Sequence, residues 1–445
     1  MTPPEVVDAF IQRIEAVNPQ LNAVVVPMFD AARRRAEQLA CEAPGARPLY
    51  GVPFTIKEMI AVEGQPITLG SVYRRTLRAT FTATVVERLL AAGAIPLGLT
   101  NLPEMGFWLE SDNLLYGRTN NPFDLARHPG GSSGGEAAII AASGSPFGLG
   151  SDLGGSIRMP AFFCGIYGHK PTPGVVPLRG HYPFDGTTTP SGSSGQYVAI
   201  GPLTHHAEDL YPVFTLIADR PNDLPEKPAT DMRGRRVLIC ESPDIRFASE
   251  PVPAVRAGVQ RAAERLAAAG AVVETWHHPA VRYATDIWYA ALSERPGPSL
   301  AEVFTHGERS RISIVGELVR RLAGRSRHTL PAVAFLLGER LGTKRMARRA
   351  LEHQRRLRAD LEEALGADGL LVFPTHPRPA HRHGRPLMHP FDFGYTALFA
   401  ALQLPATAVP MGTDDRGLPV GVQIIARHGR DDLTIGAAVH LSRAK

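Results

Sequence analysis

Apolar and polar positions along the first hundred residues predict helices and strands in turn. Residues 2–5 read Thr-Pro-Pro-Glu, a capping box, and apolar residues then recur at helical spacing up to Asn18-Pro19, where we expect the helix to end. Further helical patterns occur in ARRRAEQLACEA and TVVERLLAAGA, and short apolar runs typical of strands occur in LNAVVV, GVPFTIK and IPLGL. Such alternation favours an α/β sheet.

The rest of the chain changes its pattern several times. Residues 100–127 are irregular, residues 128–174 are rich in glycine, and residues 251–365 are dominated by helical spacing. Strand-like runs then return in GLLVFP, PATAVP and LPVGVQII. Because no linker is long or polar enough to divide the chain, we predict a single domain over residues 1–445, with a variable helical middle at roughly 230–365.

Composition narrows the class of protein. The chain is 44% hydrophobic and 20% charged, as globular proteins are, and no apolar run reaches the about 18 residues of a membrane-spanning helix. The first residues lack the basic and apolar segments of a signal peptide, and three cysteines without paired spacing indicate a reduced, cytoplasmic protein. The net charge of +5 is modest for 445 residues, and we predict no nucleic-acid partner.

Two glycine-rich clusters, residues 130–135 and 150–158, carry the candidate chemistry. The first contains the G-x-S-x-G pattern of a hydrolase nucleophile elbow, but a loop precedes it where the elbow needs a strand, and it lacks the lysine of a phosphate-binding loop. A Gly-Gly-Ser turn in the second cluster can aim successive N–H groups at one point, as an oxyanion hole does. We expect the donors to be Leu153, Gly154, Gly155 and Ser156.

A serine nucleophile at Ser156 needs a base. His128 and His169 lie near the clusters, but neither has a recognisable Asp-His arrangement around it. Only five of the 48 basic residues are lysines, and Lys57 directly follows an apolar strand. Burial there would lower the lysine pKa and make it a base, whereas a surface position at the strand end would leave it an ordinary cation; spacing alone favours neither.

Three separated motifs together resemble the amidase signature family: GVPFTIKE, GGSSGGEAA and GSDLGGSIRMPAFFCGIYGHKPTPG. The similarity extends to EVVDAFIQRIEAVNPQLNAVV and GLPVGVQIIARHGRDD, so it covers most of the chain outside the middle. The motif wording is most similar to the fatty-acid-amide-hydrolase-like branch. The resemblance implies an α/β fold with a large twisted mixed β-sheet covered on both faces by α-helices.

The resemblance also implies a mechanism, because members of this family hydrolyse carboxamides through an acyl-enzyme with a serine–cis-serine–lysine triad. Carried over to this sequence, Ser156 is the nucleophile, Lys57 is the base, and Ser132 is the proton bridge in a cis peptide after Gly131. The implied substrate is a small-molecule or acyl amide. No metal and no organic cofactor are expected, and a homodimer is allowed.

Three further residues are expected to support the triad. Asp152 and Arg158 flank the second glycine cluster and should brace it as an ion pair, and Ser133 should hydrogen-bond within the lysine network. The sequence departs from the family in GPLTHHAEDL, a change outside the triad that we expect to affect packing more than chemistry. The chain also begins at a helix that family members usually precede with additional residues, as in a short or shortened member.

Two other functions fit parts of the sequence. A glutaminase subunit of a transamidation complex has the same fold and triad but works only with partner proteins. A non-catalytic binding protein built on an inactive hydrolase is the third hypothesis, and the joint presence of Lys57, Ser132 and Ser156 argues against it.

The segment 301–360 carries 14 Lys and Arg against 6 Asp and Glu. Ile312, Val315, Leu318 and Leu322 fall near one helical face, and PAVAFLL adds an apolar run. We favour a solvated helical layer whose apolar side packs on the sheet. The alternative is an amphipathic basic cap that rests on an anionic membrane and admits lipid-like amides, so that the protein is cytoplasmic with peripheral membrane contact.

Two more segments invite functional readings. Residues 375–390 contain four histidines, but they form no helical H-x-x-x-H pair and have no nearby carboxylate, so we expect an exposed loop instead of a metal site. Residues 191–196, SGSSGQ, resemble the serine cluster without its flanking glycine pair, and we expect a mobile loop near the mouth of the active site.

Overall fold

A mixed eleven-stranded β-sheet forms the centre of the computed structural model, which describes residues 1–42, 45–182, 197–293, 300–305, 312–341 and 344–443. Among these residues the strands are β1 (Val24–Pro27), β2 (Pro53–Lys57), β3 (Ile95–Thr100), β4 (Asp112–Asn113), β5 (Gly117–Arg118), β6 (Phe147–Asp152), β7 (Tyr167–Lys170), β8 (Ala199–Thr204), β9 (Arg236–Ile239), β10 (Val272–Thr275), β11 (Leu370–Pro374), β12 (Ala406–Thr413) and β13 (Pro419–Ile425). Their order in the large sheet is β1-β3-β2-β6-β8-β7-β12-β13-β11-β9-β10, and β4 pairs separately with β5.

Helices connect and cover these strands. They are α1 (Pro3–Leu21), α2 (Phe29–Ala40), α3 (Thr84–Ala91), α4 (Gly134–Ala141), α5 (Arg158–Cys164), α6 (Leu210–Ile217), α7 (Pro253–Ala268), α8 (Ala284–Ser293), α9 (Leu300–Phe304), α10 (Ile314–Leu322), α11 (Leu330–Leu341), α12 (Lys344–Leu365), α13 (Gly394–Ala401) and α14 (Asp431–Arg443). The strands and helices expected from the apolar spacing are present, each within a few residues of its expected bounds. The segment 191–196 lies outside the described residues.

The first helix begins as the sequence predicts and ends later. Thr2 and Glu5 form the capping box. The expected end at Asn18-Pro19 is wrong, because α1 runs to Leu21 and ends at Asn22, whose φ of 51° is left-handed. A proline in the last turn removes a single backbone hydrogen bond, and the Asn18 side chain accepts hydrogen bonds from the N–H groups that follow the helix.

Both faces of the sheet are covered, which confirms the expected fold. Ile424 and Ile425 are consecutive on β13, so their side chains point to opposite faces. Ile424 packs in a cluster with Val259 of α7 and Leu433 of α14. Ile425 packs in a different cluster with Leu398 of α13.

The sheet takes strands from both ends of the chain and from its middle. Strands β9 and β10 lie at one edge, beside β11, and both come from the segment 230–365 that the sequence marks as variable. The single-domain assignment stays a prediction. In the part of the chain that the structure describes, no helix combines the length and the apolar character needed to cross a membrane.

Strands β2 and β6 bring the two candidate motifs together. They pair in parallel, with Thr55 opposite Gly148 and Ile56 opposite Leu149. Parallel neighbours end at the same edge of a sheet. Lys57 is the last residue of β2, and the glycine loop 153–157 begins where β6 ends, so lysine and loop share one edge.

The outer face of α10 contradicts the packing that we favoured from the sequence. Val315, Val319 and Leu322 are 72%, 60% and 91% exposed, although Ile312 just before the helix is buried. The inward position is taken instead by Glu317, a buried carboxylate that accepts hydrogen bonds from the Ser326 hydroxyl and the Arg327 N–H. Glu317 on the polar side of this helix therefore faces the protein, whereas the apolar row faces outward. The Leu318 side chain lies outside the described part.

A buried ion pair ties the glycine loop to the sheet. Arg158, at the start of α5, donates from Nε and Nη2 to the Asp152 carboxylate at 3.0 and 2.9 Å. Its Nη1 donates to the Gln423 side chain on β13 at 2.7 Å. Both ionic side chains are fully buried. The ion pair expected from the sequence is confirmed, and it also crosses to a strand near the end of the chain.

We expect Arg158→Met to lower the free energy of unfolding by about 3–5 kcal/mol, because Asp152 would remain as an unpaired buried charge. Urea unfolding followed by circular dichroism measures the change. Arg233→Met is the matched control, since Arg233 pairs with Asp231 at an exposed site. Equal unfolding midpoints for the two variants would contradict a stabilising role for the buried pair.

Candidate active site

A buried lysine and two serines form the polar centre of the site. The Lys57 ammonium nitrogen lies 2.6 Å from Ser132 Oγ and 3.1 Å from Ser151 Oγ. The peptide bond between Gly131 and Ser132 is cis, as the family resemblance implies. Lys57 is buried, so the structure decides between the buried and the surface position that spacing left open.

Burial makes Lys57 suited to act as a base. Removal from water lowers the pKa of Lys57 to about 7, although the nearby Asp152 and Glu136 carboxyl groups favour its charged form. Burial likewise raises the pKa of Glu136 to about 8. Hydroxyl groups of Thr55 and Thr100 donate to the two oxygens of Glu136. The interior next to Lys57 is therefore low in net charge near neutral pH.

Ser156 lines the same small cavity as Ser132 and Ser151, with a volume of about 30 Å³. It follows Gly155, whose φ of +129° and close approach to the Thr396 hydroxyl exclude any side chain. Lys57, Ser132 and Ser156 are thus brought together as the sequence predicts. The remaining lining is mainly apolar: Met59, Met105, Gly106, Phe107, Leu153, His181 and Val198.

Ser133 reaches Lys57 through another residue. Its hydroxyl lies 3.4 Å from both the N–H and the carbonyl oxygen of Ser151, and Ser151 hydrogen-bonds Lys57 through its own hydroxyl. Sequence reasoning missed Ser151, although it stands directly before Asp152 in the second glycine cluster and could have been identified there.

Two side chains from distant helices orient the glycine loop. Trp288 Nε1 of α8 donates to the Leu153 carbonyl at 2.8 Å, and Thr396 Oγ1 of α13 donates to the Gly154 carbonyl at 2.8 Å. In a trans peptide the N–H points away from the carbonyl. Holding these carbonyls on one side therefore turns the N–H groups that follow them to the other side. The two anchors lie 135 and 242 residues away along the chain, and no local motif indicates them.

One expected oxyanion donor is engaged elsewhere. The Gly155 N–H donates to Asp152 Oδ1 at 2.7 Å, because the carboxylate lies inside the turn. The amides of Leu153, Gly154 and Ser156 have no hydrogen-bond acceptor among the described residues. These three remain the candidate donors.

The structure corrects the expectation for His169. Its Nε2 lies 3.0 Å from Asp431 and its Nδ1 2.9 Å from the Thr407 hydroxyl, so an Asp-His pair does exist. Both ring nitrogens are engaged, and His169 does not line the cavity. Lys170 beside it is a second buried lysine that the sequence analysis missed; burial lowers its pKa to about 7, and its Nζ donates to the Pro171 carbonyl.

The cavity wall contains another residue that the sequence did not indicate. His181 is buried there, and burial together with the charge of Lys57 lowers the pKa of His181 to about 3. Its imidazole is neutral when Lys57 titrates. No spacing signal links His181 to the glycine clusters.

The expectation of an exposed loop at residues 375–390 is wrong for residues 375–380, which are mostly buried, whereas most of residues 382–390 are exposed. His376 is buried, and burial lowers the pKa of His376 and of His381 to about 3. The loop packs on the segment before the serine cluster, where the His128 N–H donates to the His381 carbonyl. A nearby carboxylate exists as well, because Asp392 follows two residues after the segment 375–390.

Aromatic side chains from the middle of the chain stand against the cavity. The ring of Phe107, which lines the cavity, contacts Phe304 and Phe335 at centroid distances of 5.8 and 4.9 Å. Trp288 also contacts Phe335, at 6.3 Å. Aromatic rings of the middle segment therefore pack against Phe107, which itself lines the cavity with Ser156.

Comparisons with known proteins agree with this geometry. The family described as Amidase matches residues 5–435. Fatty-acid amide hydrolase 2-B of Danio rerio is 39% identical over 99% of this chain and 86% of its own length. A glutamyl-tRNA(Gln) amidotransferase subunit of Methanosarcina acetivorans is 31% identical over 98% of this chain and 92% of its own.

A solved structure shows the same fold. A bacterial aryl acylamidase of the amidase signature family superposes with a TM-score of 0.80 at 25% identity, over 100% of this chain and 93% of that one. The similarity of sequence and of fold thus extends along the whole chain. The chain therefore belongs to the amidase signature family and is a hydrolase acting on amide bonds.

Proposed function

We propose that this chain hydrolyses acyl amides to a carboxylate and an amine or ammonia through an acyl-enzyme on Ser156. One observation carries the proposal: Lys57 Nζ lies 2.6 Å from Ser132 Oγ in a cavity that Ser156 also lines. The pKa of Lys57, lowered to about 7 by burial, leaves an unprotonated fraction that can accept a proton.

The proton passes through Ser132. As Ser156 Oγ attacks the carbonyl carbon, its proton moves to Ser132 Oγ while the Ser132 proton moves to Lys57 Nζ. The same path in reverse delivers a proton to the leaving nitrogen, and the C–N bond breaks. Water then adds to the acyl-enzyme, gives its proton to the same relay, and releases the carboxylate with Ser156 restored.

The amides of Leu153, Gly154 and Ser156 are the proposed donors to the oxyanion. The Gly154 N–H is oriented before the reaction because Trp288 holds the Leu153 carbonyl, and the Ser156 N–H because the Gly155 carbonyl accepts the Met159 N–H at 2.7 Å. Thr396 holds the Gly154 carbonyl and so orients the Gly155 N–H toward Asp152, which fixes the turn between these donors. Donors fixed in advance stabilise developing negative charge without reorganising. Trp288 and Thr396 are thus positioning residues, and Asp152 and Arg158 hold the turn from within.

The proposed substrate class is an amide with a long acyl chain. The 39% identity to a fatty-acid amide hydrolase supports it, as does the mainly apolar lining of the cavity, where Phe304 and Phe335 pack against Phe107. A glutaminase subunit is the second candidate; the relatives with that role are more distant, at 31–33% identity. Activity of the isolated chain on an acyl amide separates the two.

We also propose that α10 touches anionic membranes. Val315, Val319 and Leu322 form one exposed apolar row, and Arg320 and Arg321 lie on the same helix. An apolar row beside cations is typical of helices that lie in a lipid interface. Cytoplasmic location and a homodimer stay predictions from the sequence.

We expect Ser156→Ala to abolish hydrolysis of a long-chain acyl amide and labelling by a fluorophosphonate probe, because no other hydroxyl would attack the amide carbon or the phosphorus of the probe. Product release and mass spectrometry of the labelled protein measure both. Ser242→Ala, at an exposed position, should leave both unchanged. A labelled serine elsewhere in Ser156→Ala would overturn the assignment.

The rate should follow the deprotonation of Lys57. We expect kcat/KM to rise about tenfold per pH unit below a pKa of about 7 and to level off above it, since only the neutral amine accepts a proton. Lys57→Arg should be as inactive as Lys57→Ala, because arginine stays charged. Lys227→Arg, at an exposed lysine, is the control. A flat pH profile with an active Lys57→Arg enzyme would exclude Lys57 as the base.

Co-sedimentation with phosphatidylglycerol and phosphatidylcholine vesicles tests the membrane contact. We expect salt-sensitive binding to the anionic vesicles, reduced at least about fivefold in the Val315→Ser, Leu322→Ser double variant. Phe247→Ser removes an equally exposed apolar side chain elsewhere and should bind as the wild type does. Background binding to both vesicle types would refute the contact.

A further inference from the structure

Two histidines and a carboxylate meet beside the segment that leads into the serine cluster. The ligand atoms that His376, His381 and Asp392 offer all lie within 4.8 Å of one another. We propose that these three residues bind one Zn²⁺ ion. The proposal rests on this cluster alone and is independent of the proposed function.

A backbone hydrogen bond holds one ring nitrogen of His376 and leaves the other nitrogen available to bind a metal. His376 Nδ1 lies 2.7 Å from the Arg378 carbonyl, closer than the 3.3 Å to the Arg378 N–H, so Nδ1 carries the proton and Nε2 the lone pair. A backbone carbonyl on the other ring nitrogen is the usual second contact of a metal-binding histidine. The ring is thereby held in the tautomer that a metal requires.

The other two ligands present unused atoms. His381 Nε2 is buried and has no hydrogen-bond partner in the described part of the chain. Asp392 is buried; its Oδ1 accepts the Ser249 N–H at 2.7 Å, whereas its Oδ2 has no hydrogen-bond partner among the described residues. Unpaired buried polar atoms are unfavourable. A cation placed between them would satisfy both.

The chemistry of the three ligands favours zinc over other metals. Two imidazoles and one carboxylate are a common ligand set for Zn²⁺, with the fourth position left to water. Tetrahedral zinc keeps its ligand atoms about 3.4 Å apart, so no pair needs to close by more than about 1.4 Å. His381 and Asp392 both lie outside strands and α-helices, where rotation of their side chains can supply that movement.

Arg378 competes with the ion. Its Nε lies 3.8 Å from Asp392 Oδ2, and its side chain is 31% exposed. Because this Nε has no hydrogen-bond partner among the described residues, the guanidinium can turn toward solvent when a metal arrives. The arginine balances the charge of Asp392 in the metal-free protein and should weaken zinc binding.

Zinc binding would also affect the segment that leads into the serine cluster. The His381 ring stacks on His128 at a centroid distance of 6.0 Å, and His128 Nδ1 accepts the N–H of Gly130, two residues before Ser132. An ion on His381 would fix the loop against that segment. Its role is structural, since none of the three ligands lines the cavity around Ser156.

The test uses the full chain, stripped of metal and titrated with zinc chloride near neutral pH. We expect about one zinc per chain by calorimetry and elemental analysis, and, with Co²⁺ instead, visible absorption of four-coordinate strength. His381→Gln and Asp392→Asn should each weaken zinc binding at least about tenfold. His206→Gln, in an exposed pair with His205, should bind zinc as the wild type does.

Arg378→Gln is expected to strengthen zinc binding, whereas the ligand variants weaken it. Removing the competing cation should tighten zinc binding about tenfold, which general damage to the fold would not do. Circular dichroism checks that each variant is folded. Absence of saturable zinc binding, unchanged affinity in both Asp392→Asn and His381→Gln, or loss of binding in His206→Gln would overturn the site. If either ligand variant fails to fold, an unchanged zinc affinity of Arg378→Gln would overturn the proposed site.

Discussion

The buried Asp152 carboxylate determines the shape of the candidate site. It accepts hydrogen bonds from the N–H groups of Gly155 and Ile157 and from Nε and Nη2 of Arg158, so it lies at the centre of the turn that carries Ser156, the proposed nucleophile. A buried charge requires such partners. Since Arg158 also reaches Gln423, one ion pair fixes the loop, the start of α5 and strand β13 together.

The same ion pair influences the pKa of Lys57, the proposed base. Burial in the sheet lowers the pKa of Lys57, and the negative charge of Asp152 acts against that shift by favouring the ammonium form. Arg158 neutralises Asp152 and so limits this opposing effect. The pair that stabilises the fold thus also helps to leave Lys57 with a pKa near neutrality. The Asp152–Arg158 ion pair therefore serves both the stability of the fold and the proposed catalysis.

The glycine spacing indicated the turn at residues 153–156, and the resemblance of the motifs to a family indicated that Lys57, Ser132 and Ser156 lie together, as the structure has them. These motifs could not show Trp288 or Thr396, whose contacts depend on how distant helices pack. Spacing on α10 revealed an apolar face but not its direction, which the buried Glu317 decides. The carboxylate that completes the histidine cluster likewise became visible only when the loop was folded.

The anchors of the glycine loop have a consequence for biosynthesis. Ser156 is translated long before Thr396, and 265 residues separate Arg158 from Gln423. At about 5–20 residues per second, tens of seconds pass on the ribosome between the serine and the side chains that orient its neighbours. The nascent chain therefore carries Ser156 before Thr396 and Gln423 exist to hold the loop, and the arrangement proposed for catalysis is complete only when the last segments have left the ribosome.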